Sequence, residues 1–247
     1  MMLQSIRSAV LLCFSVAACA STTSGARPHD MGMAEHEHEV QAHAGAAEAQ
    51  AKQYDPSAKV KRIECSPGGG RLGADLGACW TSVSNPTVEH LREADEHRRH
   101  AADHRLASRA LAEVEARACA GIGPDDRDIS PFDHVEDIAN VNPLSETSGT
   151  PKQPRRRKAG AVVTFRAVPG MTAEWLQRVV DCHLARNSSL GHVVPEMSYC
   201  PLVPKGVTAR VTSRRNGFAI AIRSSDSATA REILRRAEAL LGRGPTQ

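Results

Sequence analysis

The first twenty residues decide the redox state of every cysteine downstream, and so constrain what the chain can fold into. They read "MMLQSIRSAVLLCFSVAACA". Arg7 and the amino terminus make a short positive region, residues 9–16 an apolar run, and small residues follow at once. That is the layout of a secretory signal, and its apolar run falls far below the roughly 20 residues of a membrane-spanning helix. An exported chain enters an oxidising compartment, where cysteines pair.

Val16-Ala17-Ala18-Cys19 resembles a bacterial lipobox: a branched apolar residue, two small ones, then the cysteine that is lipidated. Cleavage before Cys19 leaves diacylglycerol on its sulfur and an acyl group such as palmitate on its amine. The acyl chains then hold the protein on a membrane at about 0.8 kcal/mol per buried methylene. Ordinary secretion, with cleavage after Ala20, is the alternative. Ala20 stands where an inner-membrane retention Asp would, which favours the outer membrane, facing the periplasm. Without residues 1–18 the chain carries 30 Lys and Arg (the 31 of the whole chain less Arg7) against 28 Asp and Glu. That near-neutrality argues against a nucleic-acid binder. Aromatics are 3% of the residues, which points to one or two small domains on a tether. No second apolar stretch is long enough to span a bilayer.

Of the 7 cysteines, Cys13 leaves with the signal and Cys19 takes the lipid. Cys65, Cys79, Cys119, Cys182 and Cys200 remain, an odd set. Residues 19–57 are rich in Ala, Gly, His and Glu and nearly free of branched apolar residues, so they read as a disordered tether. Within it His29, Met31, Met33, His36, His38 and His43 offer imidazole and thioether ligands. Met beside His favours copper, with zinc next; a merely polar linker is the alternative. Residues 58–150 form a helical middle region. Its glycine-rich loop "CSPGGGRLGADLGAC" suggests a Cys65–Cys79 bridge, and the Lys-Ser/Thr of a phosphate loop is missing.

A long helix is predicted from Asn85 as N-cap and Pro86 as first helical residue to about residue 120, stopping at Gly121. Val88, Leu91, Leu106, Leu111 and Val114 are its sparse apolar residues, which suggests a half-exposed or hairpin-packed helix. His90, His97 and His104 repeat every seven residues, with His100 between. They could chelate an ion, but an exposed polar face is preferred, given Arg98, Arg99 and Arg105 nearby. Residues 121–150 read as an irregular, acidic cap lacking a calcium-loop pattern, and 151–158 as a basic linker that could touch anionic head groups.

Residues 159–242 read as a small two-layer β-α-β-β-α sandwich, making the chain α+β. Strands are predicted at 161–168, at 207–211 and at 218–222, separated by an Asn216-Gly217 turn. Helices are predicted from Thr172 to about residue 186, and after an Asp226 or Ser227 cap. Cys182 and His183 are neighbours on a helix, about 100° apart, so they cannot easily face one site. His183 shares the apolar rows, as a hydrogen-bonded core histidine would. A Cys182–Cys200 bridge is favoured over a metal set in which His192 and Met197 join one of the two thiols. Cys119 is then the odd cysteine. No nucleophile–base pairing, G-x-S-x-G or H-E-x-x-H occurs, so no enzyme is expected.

The segments "ADEHRRHAADHRLASRALAEVEARACAGI", "SPFDHVEDI" and "VPGMTAEWLQRVVDCHLA…GH…CPLVP" are similar to a group of uncharacterised bacterial envelope lipoproteins. Members carry a His/Met-rich segment after the lipobox, and no activity comes with the resemblance. It implies envelope metal handling. The expectation is a membrane-anchored lipoprotein that binds a transition metal, copper favoured, for sequestration or delivery, with an envelope protein as a further possible partner. The alternative is a structural or partner-binding lipoprotein with disulfides and no metal.

Overall fold

A period of seven organises the first half of the folded chain and a period of two the second. The computed structural model describes residues 31–65, 78–150 and 153–242. In chain order its elements are α1 (Met33–Gln53), β1 (Val60–Cys65), β2 (Cys79–Ser84), α2 (Val88–Ala118), α3 (Pro124–Asp128), β3 (Ile138–Thr150), β4 (Gln153–Arg166), α4 (Ala173–Ser189), β5 (Val207–Arg214), β6 (Gly217–Ser224) and α5 (Ser227–Leu240). The fold is α+β, and no helix among the described residues is long and apolar enough to cross a membrane.

The four C-terminal strands form one antiparallel sheet in the order β3-β4-β6-β5. Register sets Ala161 opposite Ile222, Val163 opposite Ile220 and Phe165 opposite Phe218, with Val211 of β5 alongside Ile220. Because side chains alternate across a strand, these apolar residues share one face. α4 and α5 cover that face. Ile220, Ile222, Ile233 and Leu240 are fully buried, each stabilising by roughly 1.5–3 kcal/mol. The Thr172 hydroxyl caps α4 by accepting from the Trp175 N–H, and the Asp226 carboxylate caps α5 by accepting from the Thr229 N–H. Gly217 opens β6 with φ +142°, and a Cβ there would lie 2.0 Å from the Phe165 carbonyl oxygen. Only glycine fits that crossing.

The sheet has one strand more than the sequence suggests. β3 falls in the segment expected as an irregular cap, and β4 begins in the expected basic linker. β3 carries Asn142, Pro143, Ser145 and Glu146, poor strand formers that an edge strand tolerates because pairing with β4 holds them. At the other end of the domain, Glu232 lies between Arg235 and Arg236, which draw its carboxyl down to about 2. Arg236 also donates to the Cys200 carbonyl (3.2 Å). A depressed carboxyl stabilises above its unfolded pKa and loses that contribution as pH falls. Urea titrations of Glu232→Gln should show a loss of about 1 kcal/mol at pH 7, allowing for solvent screening. The difference from the wild type should shrink as pH drops from about 5 toward 2.

α2 is the long helix, with its boundary shifted. Thr87, not Asn85, is the N-cap residue; Asn85 accepts hydrogen bonds from the Thr87 N–H (2.8 Å) and hydroxyl (2.7 Å) instead. Gly121 follows the C-terminal end with φ +73°. The expected Cys65–Cys79 bridge is present and closes the β1–β2 hairpin. The expected Cys182–Cys200 bridge is not. Cys182 pairs with Cys119, and Cys200 is a free thiol buried in the core. Burial pushes that thiol up from its ordinary range.

The reason is that α4 is buried on two sides. Leu176 and Val180 face the sheet core, which also encloses Cys200. Cys182 belongs to a second stripe toward α2, shared with Arg186, which pairs with Glu115 (3.3 Å), and Ser189, which donates to the Leu111 carbonyl (3.4 Å). His183 is buried, with Nε2 2.9 Å from the Asp126 carbonyl oxygen, as a hydrogen-bonded core histidine should be. Burial, above all, lowers its pKa.

Candidate metal centre between two helices

Residues 33–53, expected within the tether, form a 21-residue helix packed along α2. Residues 19–30, with Cys19 and His29, lie outside the described residues. α1 and α2 run antiparallel: His36 meets His104, His43 meets His97, and Gln50 meets His90. Each step of seven along one helix is matched by a step of seven back along the other. The layers between hold Val40 and Ala47 on α1, and Ala94 and Ala101 on α2, all buried. This is a heptad seam of coiled-coil type, with small residues and imidazoles where leucines usually stand.

That composition makes the seam weak as an apolar interface. α1 buries His36, Val40 and Ala47. Burying Val40 stabilises by roughly 2 kcal/mol and Ala47 by less, and helices in proteins draw most of their stability from such packing rather than from propensity. The N-terminal end is held by backbone contact. A Cβ on Gly32 would lie 2.5 Å from the Gly191 nitrogen, so the two glycines let the chains touch. The Gly32 N–H donates to the Glu35 carboxylate (2.9 Å).

The imidazoles gather at two layers of the seam. His36 Nδ1 lies 2.9 Å from His104 Nδ1, and His43 Nδ1 lies 3.1 Å from His97 Nδ1. The His43 ring also stacks on His100 (5.1 Å between centroids) and on His104 (5.7 Å). Two nitrogens bound at about 2.05 Å to one ion, about 90–110° apart, stand about 2.9–3.4 Å from each other. Glu39, His43 and His104 each offer a ligand atom, all within 4.8 Å of one another. They form a group that could hold a metal ion. His36 is fully buried and His104 is 5% exposed, so the group's inner side is shielded from water.

Electrostatics suit a cation ligand at His43. Burial, then the neighbouring His100, His97 and His104, lower its pKa, with Glu39 opposing. The neutral form, which carries the lone pair a metal needs, is thereby favoured.

Of the residues singled out in the sequence, His36 and His43 join this cluster. Met33 starts α1, and Met31 lies just before its N-cap; both are half-buried. His38 points to solvent, 81% exposed. His192 and Met197 do not belong to the group: His192 Nδ1 is 2.8 Å from the Val203 carbonyl oxygen, and Met197 lies in the apolar core. Of the two thiols in the alternative metal set, Cys182 is taken by its bridge to Cys119. The α2 histidines, expected as an exposed polar face, are turned inward at positions 97 and 104. Glu39 was missed altogether. The readable signal was the shared spacing of seven, His36 to His43 against His97 to His104, which marks one seam when the helices are set antiparallel. No known protein family, curated protein or solved structure matches the chain.

Proposed function

We propose that this chain is a lipid-anchored protein of the bacterial cell envelope. It binds a divalent transition-metal ion, Zn(II) or Cu(II), between α1 and α2, for sequestration or delivery. The observation that carries the reading is the convergence of Glu39, His43 and His104 from two helices, with further imidazoles around them. The nitrogen and oxygen donors suit Zn(II) or Cu(II) better than Cu(I), which prefers sulfur. The anchor rests on Val16-Ala17-Ala18-Cys19, and the outer-membrane site facing the periplasm on Ala20 in place of a retention Asp. A bound ion joins two helices whose own apolar contact is slight.

Equilibrium dialysis against Zn(II), Cu(II) and Cu(I) tests the metal reading, using the intact mature chain and one lacking residues 20–53. Divalent ions should bind the first and not the second. Absence of any binding tighter than about 10 µM, roughly −7 kcal/mol, sinks the proposal. For the anchor, Cys19→Ala should move the protein out of the membrane fraction, and its retention there counts against the lipobox. A partner-binding role is the second reading. It is favoured by Ile63, Trp80 and Val83, exposed by 76%, 51% and 57% on the β1–β2 hairpin. Apolar side chains left on such a hairpin fit a protein contact, and this reading predicts no tight ion.

A further inference from the structure

We infer that the ion acts as a clasp: it holds α1 on α2 when bound and releases α1 when absent. The inference rests on the metal reading and adds regulation to that site.

The two helices are fastened very differently. α2 is tied covalently to α4 by Cys119–Cys182, and its flank is held by Arg186 to Glu115. α1 has no such bond among the described residues. Its seam against α2 is made of His36 on His104 and His43 on His97, with Val40 and Ala47 as the buried apolar residues. A ring pair whose nitrogens lie about 3 Å apart is held by one shared hydrogen bond or by an ion between them. The ion is much the stronger link, because it engages lone pairs from both helices at once.

The C-terminal end of α1 is the pivot. Asp55 and Ser57 make a tight turn there, and Asp55 is bonded to Asn85 and Thr87 at the start of α2. That joint stays in place whether or not the seam is closed. α1 is 21 residues long, about 31 Å as a helix and up to roughly 70 Å when extended. For a chain anchored at its N-terminus, ion loading therefore shortens the leash between the membrane and the folded body. Ion loss lengthens it and uncovers the alanine face of α2. Binding and closure are linked, so anything that holds α1 down also tightens the ion.

Amide hydrogen exchange of the intact chain, with and without one equivalent of Zn(II), tests the clasp, with dialysis reporting binding in the same samples. Amides at 36–50 should slow at least about tenfold with zinc, while those of α4 and β6 stay unchanged. His43→Ala should abolish the slowing and leave α4 and β6 protected as before. Zinc bound with α1 exchanging at the same rate overturns the clasp and leaves the metal site standing. No zinc bound overturns both.

Discussion

Cys182→Ser should lower the unfolding free energy by about 4 kcal/mol, the larger loss expected of the two bridges among the described residues. The Cys119–Cys182 bond closes a loop with a sequence separation of 63, and in the chain-entropy model a loop of that size is worth about that much. A domain of this kind holds roughly 5–15 kcal/mol in all, so the variant should unfold at a much lower urea concentration. Arg186 and Ser189 would then face α2 without the covalent tie that keeps them in register. Cys200→Ala separates this pairing from the alternative. It leaves both bridges intact and removes one buried thiol, at about 1 kcal/mol. Equal losses for Cys182→Ser and Cys200→Ala would point to a bond between those two. Peptide mapping of the non-reduced protein should recover Cys119 linked to Cys182 and Cys200 as a free thiol.

His104→Ala should weaken zinc binding by about 100-fold. A four-ligand zinc site supplies roughly 10–16 kcal/mol, so one ligand carries about 3 kcal/mol of it, which is about two decades in affinity. His104 is the most shielded member of the candidate group and faces His36, Glu39 and His43 from α2. His38→Ala is the control. It lies on α1, as His43 does, but is 81% exposed, and its removal should leave affinity unchanged. Equal effects of the two substitutions would place the ion on surface histidines instead.

The C-terminal domain was legible because strands announce themselves by alternation. Phe218, Ile220 and Ile222, and Val207 and Val211, have the spacing of a half-buried sheet and occupy it. β3 was not legible because an edge strand can be built from Asn142, Pro143 and Ser145 once its partner is in place. The seam was half legible. Its period of seven stood out in His90, His97 and His104, yet of the five apolar residues read on α2 only Leu111 is buried, while Val88, Leu106 and Val114 are exposed by 55%, 63% and 40%. Packing between helices ordinarily follows the leucines. Here it follows alanines and histidines, so a segment poor in branched apolar residues looked like a tether and folded as a helix. The disulfide pairing could not be read, because Cys182 lies on a second buried stripe of α4 that only the position of α2 defines.

Imidazole carbon–proton spectra recorded while Zn(II) is titrated into the intact chain test the central claim most directly, since they report binding and place together. The resonances of His43 and His104 should shift at one equivalent, with His36 and His97 beside them, while the solvent-facing His134 and the core His183 stay where they are. Shifts confined to His38 or His134, or an unchanged spectrum at tenfold excess of zinc, would contradict a metal centre in the α1–α2 seam.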